Sequence, residues 1–132
     1  MEKLLYTFVF FTLIFTSCSK NPNRVLPQKD GKWKFVAVSN ITVDGVLEST
    51  NTEIGTMIFG KSKSFTRESN GNVDIGTWSA TRKTVTIHFG SSSFEYQVEE
   101  KSSKFEKWEF SRSVTLNGQE ILTTQIIDLE KT

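Results

Sequence analysis

The chain has 132 residues, with 16 Lys and Arg against 15 Asp and Glu and a formal net charge of +1. That length suits one domain. The near-neutral balance lacks the basic footprint of a nucleic-acid binder, so no nucleic-acid partner is expected. A single Cys excludes a disulfide framework and a thiolate metal cluster within the chain, and a single His excludes an all-histidine zinc site.

In chain order, the first feature is an apolar run. Leu4–Phe15 is broken only by Thr7 and Thr12 and follows a short positive segment at Lys3. Twelve residues fall short of the roughly 20 needed to span a bilayer. They match the apolar region of a secretion signal, expected over residues 1–17. Phe15-Thr16-Ser17-Cys18 resembles the bacterial lipobox, the recognition sequence of lipoprotein signal peptidase. The resemblance implies that Cys18 is thioether-linked to diacylglycerol and becomes the first residue of the mature chain. Two or three acyl chains then hold the protein stably, since each buried CH₂ contributes about 0.8 kcal/mol.

Residues 18–30 are expected to be the lipidated Cys and a flexible tether. Ser19–Asp30 holds both prolines and is polar apart from Val25 and Leu26. Fully extended, 12 residues reach about 40 Å. The expected location is the cell envelope of a Gram-negative bacterium, lipid-anchored at the outer membrane. Ser19, Lys20 and Asn21 carry no carboxylate, unlike the acidic start of some surface-exported lipoproteins, and both faces of that membrane stay open.

From Gly31 onward short alternating runs are separated by turn residues. Strands are expected at Lys32–Val43, then from Val46 and over Gly55–Phe59. Further strands follow at Ser64–Ser69, Val73–Ala80, Thr84–Phe89, Ser93–Lys101, Lys104–Leu116 and Gln119–Glu130. Asp44-Gly45 is a two-residue hairpin signal, and Asn70-Gly71-Asn72 and Asn117-Gly118 are further turns. Short connections require antiparallel neighbours. About eight such strands in residues 31–132 predict an all-β domain, an up-and-down barrel that removes its own edges, with a β-sandwich as the alternative.

Gly31-Lys32-Trp33 opens the first strand, and a Gly-x-Trp there resembles the opening motif of lipocalins and related calycin barrels. The resemblance implies that Trp33 plugs one end of the barrel and that a late basic residue stacks on it. Arg112 is the candidate, with contact to an acidic ligand group as its other reading. Arg112 shares its strand face with Trp108, Phe110, Val114 and Leu116. Arg67, on a face with Phe65, poses the same question.

Trp78, Phe89, Tyr96, Trp108 and Phe110 are the candidate pocket lining, against the simpler reading that they fill the core. His88 alternates away from Val85, Ile87 and Phe89 and is expected outside. Glu95, Glu99 and Glu109 also face outward, while Glu100 shares a face with Tyr96 and Val98 but lies near the strand end and is expected to be solvated. No nucleophile elbow, HExxH or Gly-rich phosphate loop is present. The expectation is therefore a protein that is no enzyme and has no catalytic residue, cofactor or metal. Its partners would be the membrane through acylated Cys18 and a small apolar ligand. The alternative is an interaction module with a filled barrel that docks an envelope protein.

Overall fold

A computed structural model describes residues 21–132; residues 1–17 and Cys18, expected to be the signal and the lipidation site, lie outside the described residues. A single helical turn, α1 (Pro22–Val25), precedes eight strands. These are β1 (Lys32–Val43), β2 (Val46–Phe59), β3 (Ser64–Ser69), β4 (Asn72–Ala80), β5 (Thr84–Phe89), β6 (Ser92–Lys101), β7 (Phe105–Leu116) and β8 (Gln119–Lys131). Each strand pairs antiparallel with the next, and β1 also pairs with β8 along Trp33↔Lys131 to Val43↔Ile121. That last ladder closes the sheet into a barrel and excludes the sandwich.

The turns explain the tight reversals. At Asp44-Gly45, Asn70-Gly71 and Asn117-Gly118 both residues have positive φ. That is the type I′ geometry, whose twist matches the strands it joins and which Asn, Asp and Gly adopt at least cost. Where the sequence suggested an interruption, β2 runs unbroken through Thr50–Ile54. This polar stretch is outward or rim-facing and stays in register with β1, as in Asn40↔Thr50 and Val36↔Ile54.

The strands are unequal, and that shapes the two ends. β2 meets β3 only from Gly55 to Phe59, and β6 meets β7 only from Gln97 to Lys101. Beyond those levels β7, β8, β1 and β2 continue as a four-stranded sheet rising past the short strands. At the other end α1 closes the barrel. Val25 and Leu26 are completely buried there, among Trp33, Phe59 and Trp78 of the same core.

The tether expected over residues 18–30 is thus corrected for its described part. Val25 and Leu26 are the two apolar residues of that segment, and their burial folds it against the barrel. Asn21 caps the turn through its side chain, which accepts from the Asn23 N–H at 3.1 Å. The Asn23 side-chain amide donates to the Ala80 carbonyl, and Lys63 Nζ donates to Asn23 Oδ1 at 2.8 Å. Gly31 then turns the chain into β1 with φ +67°, where an added Cβ would stand 2.0 Å from the Phe59 carbonyl oxygen. Only glycine fits that approach.

Inside the closed half, the Phe59 ring is the hub. Its centroid lies 5.2 Å from Phe65, 5.6 Å from Trp78 and 5.8 Å from Trp108, in tilted and edge-on arrangements. Such pairs each add about 0.5–1.5 kcal/mol beyond the area they bury. The two buried indoles nearest the cap are satisfied by backbone: Trp33 Nε1 donates to the Leu26 carbonyl and Trp78 Nε1 to the Gly60 carbonyl, both at 3.0 Å.

Candidate ligand site at the barrel mouth

At the end away from α1 the side chains leave a cavity of about 230 Å³, lined by Ser39, Arg67, Phe89, Phe94, Tyr96, Phe110, Thr123 and Gln125. Three of the five predicted lining residues, Phe89, Tyr96 and Phe110, meet here. Trp78 and Trp108 do not, because both are fully buried in the closed half and serve as core. The aromatic wall is continuous: Phe89–Phe94, Phe94–Phe110 and Tyr96–Phe110 centroids are 6.4, 6.0 and 5.8 Å apart. Phe94 completes that wall from its position near the start of β6.

Arg67 supplies the polar side. Its guanidinium lies 5.4 Å from the Phe89 ring centroid, donates through Nη2 to Asp74 Oδ2 at 2.8 Å, and has Glu53 Oε1 3.9 Å from Nε. Nε itself is buried with no hydrogen-bond partner among the described residues. Tyr96 is buried on the same side, and burial raises its phenol pKa. Across the mouth Gln125 Nε2 donates to Ser39 Oγ at 3.0 Å. The arrangement offers an aromatic slot with one charged donor already balanced by two carboxylates.

The structure corrects the role of Arg112. It pairs with Thr123 on the long-stranded side of the mouth and is exposed, whereas Trp33 lies at the capped end, paired with Met57 and Lys131. The cation over the Trp33 ring is Lys131, with Nζ 5.3 Å from the centroid. Lys131 Nζ also donates to the Gln28 carbonyl and lies 3.6 Å from Asp30 Oδ1. Burial lowers the Lys131 pKa, with Asp30 opposing it.

A second correction concerns the inward carboxylate. Glu100 is solvated, as expected near a strand end, and a register shift between Val98 and Glu100 takes it off the face of Tyr96 and Val98. Glu106 is the buried one, 2% exposed, with Oε1 accepting from Trp108 Nε1 at 2.9 Å and Oε2 without a hydrogen-bond partner among the described residues. Burial is the main cause that raises its pKa to about 7, against the Trp108 hydrogen bond and the Lys101 charge. Parity along Glu106-Lys107-Trp108-Glu109-Phe110 carried that signal, since Glu106 shares a face with the two inward aromatics. Glu95, Glu99 and Glu109 are exposed as expected, and half-buried His88 meets Ser93 Oγ through Nδ1 at 2.7 Å.

A second hollow lies elsewhere. A groove of about 760 Å³ crosses the outer face of β2, β1, β8 and β7, with Val36, Ile54 and Phe105 partly or largely exposed along it. Among the described residues no group of three or more His, Cys, Asp or Glu side chains converges as metal ligands would. No protein-family model matches this chain, and searches of curated proteins and of solved structures return no match.

Proposed function

We propose that this protein is a lipid-anchored envelope lipoprotein whose lipocalin-like barrel binds a small, mainly apolar ligand in its mouth without catalysing a reaction. The observation that carries this reading is the cavity walled by Phe89, Phe94, Tyr96 and Phe110 above a filled and capped core. Its volume lies below the roughly 300 Å³ at which pockets for drug-sized ligands begin. The ligand is therefore small, or extends under the sheet that rises past the mouth. Arg67 already faces Glu53 and Asp74, so its free Nε suits a neutral acceptor, a hydroxyl or carbonyl, better than another carboxylate. Acylation of Cys18 and anchoring at the outer membrane rest on the lipobox resemblance.

The test is native mass spectrometry of the protein recovered from bacteria that express the full chain. The expected spectrum shows a covalent acyl mass on Cys18 and a weaker, heat-labile adduct of a small molecule. A bare polypeptide mass, with no heat released on titration with 2-naphthol, overturns the ligand reading. The outer groove favours a second reading, an interaction module that docks an envelope protein along Val36, Ile54 and Phe105. Crosslinks to one partner that Ile54→Asp removes, with the mouth empty, would select it.

A further inference from the structure

The up-and-down topology sorts the seven inter-strand connections into two sets. Gly60–Lys63, Thr81–Lys83 and Ser102–Lys104 lie at the capped end, beside α1. Asp44-Gly45, Asn70-Gly71, Gly90-Ser91 and Asn117-Gly118 lie at the mouth. The first set holds Lys61, Lys63, Arg82, Lys83 and Lys104 and no carboxylate; the second holds no Lys or Arg and one carboxylate, Asp44. The α1 segment adds Arg24 and Lys29 to the capped end, and its Asp30 is engaged by Lys131. The nearby carboxylates Glu100 and Glu130 belong to the strand walls. A chain of net charge +1 is thus strongly polarised along the barrel axis.

Several of these cations are free to meet a partner. Arg24, Lys29, Lys61, Arg82, Lys83 and Lys104 are exposed and form no ion pair among the described residues. Lys63 is committed instead, to Asn23 and to the face of Trp78 at 3.9 Å.

A second observation points to what meets them. The chain reaches this same end from its amino-terminal side, and Asn21, three residues after Cys18, is already held in the fold as the cap of α1. Three residues span only about 10 Å, a quarter of the reach of a slack 12-residue tether. We propose that the capped end is a docking surface for an anionic lipid bilayer, seated by Arg24, Lys61, Arg82, Lys83 and Lys104, so that the mouth faces away from the membrane. The inference rests on the anchored-lipoprotein reading for the proximity of the bilayer. The charge sorting stands independently of it. Anionic headgroups attract basic residues held within a Debye length of the surface, by about fivefold in affinity for each cation. A ligand then exchanges with the aqueous side and not with the bilayer beneath.

The experiment uses mature protein from bacteria expressing the full chain, placed on phosphatidylcholine vesicles with or without phosphatidylglycerol, and acetylated with an amine-reactive reagent. The expected result is strong protection of Lys61, Lys83 and Lys104 only when phosphatidylglycerol is present, with Lys34 and Lys107 on the barrel wall labelled equally on both. Equal labelling of the capped-end lysines on the two vesicle types overturns the docking surface, even with the acyl anchor intact. Protection by soluble polyphosphate as strong as by the vesicles also overturns it, in favour of a general anion patch. The acyl mass on Cys18 is read from the same sample, so loss of the anchor is distinguished; unacylated protein is then added to the same vesicles and labelled. Reversing Lys61, Lys83 and Lys104 together to Glu should weaken partition onto phosphatidylglycerol vesicles by at least 100-fold.

Discussion

The Trp33 indole N–H donates to the carbonyl of Leu26 at 3.0 Å, and both residues are completely shielded from water. This bond ties the first strand to the segment before it and converts that segment into the floor of the barrel. Its consequence for stability is direct. Truncating a fully buried Leu costs about 2–5 kcal/mol through lost burial and the cavity left behind. Leu26→Ala should therefore lower the unfolding free energy by that amount in a urea titration. A slack tether would give no change, and a variant as stable as the parent would refute the floor.

The pairing of cations with Trp33 yields a second contrast. Arg112 is exposed at the mouth, and Arg112→Ala should shift stability by no more than about 0.5 kcal/mol. Lys131 packs its stem at the capped end, with a side chain 8% exposed, above the Trp33 ring and against the Gln28 carbonyl. Lys131→Ala should cost about 1–2 kcal/mol through the lost cation–π contact and hydrogen bond. Paired denaturation curves decide the matter, and the reverse order of effects would return the plugging role to Arg112.

For the mouth, the prediction concerns Arg67. A hydrogen bond from a charged donor contributes about 1.5–3 kcal/mol, or at least tenfold in affinity. Arg67→Gln should weaken 2-naphthol binding by at least tenfold in calorimetry, and Phe110→Ala should weaken it by removing the wall. The carboxylate analogue 2-naphthoate should bind the parent more weakly than 2-naphthol, because Glu53 and Asp74 already face the guanidinium. Tighter naphthoate binding would show that the site is built for acids.

Much of this fold was legible in the strand alternation and in the Asn-Gly and Asp-Gly turns, which are local chemistry that a sequence carries openly. The mouth was partly legible. Phe89, Tyr96 and Phe110 were found by parity, yet Trp78 and Trp108 look identical by parity and lie in the filled half. Depth along a barrel depends on strand length and shear, which no single strand encodes. The folded floor was hidden for a different reason: only Val25 and Leu26 mark it, and two apolar residues between prolines resemble a linker until the hole they fill is known. Glu100 is solvated, as its place near the strand end suggested, but its face was misassigned, since a single extra residue at Val98–Glu100 inverts every parity beyond it.

Glu106 carries the last prediction. An ordinary glutamate titrates near 4.5, and burial raises this one to about 7. Below the lower value both folded and unfolded chains hold the proton, and Glu106 contributes no pH dependence. Between the two values the unfolded chain loses its proton first while the folded chain keeps it, so stability falls as pH rises. Above about 7 the folded chain must either hold a buried carboxylate or open, and the accumulated cost is about 3 kcal/mol. Glu106→Gln keeps an oxygen to accept from Trp108 Nε1 and cannot ionise. The variant should match the parent at about pH 4, gain about 3 kcal/mol over it at about pH 8, and lose the slope between, as read by urea unfolding across that range. A parent whose stability stays level from about pH 5 to about pH 8 would mean that Glu106 is ionised in the fold, with water or a cation at the open Oε2.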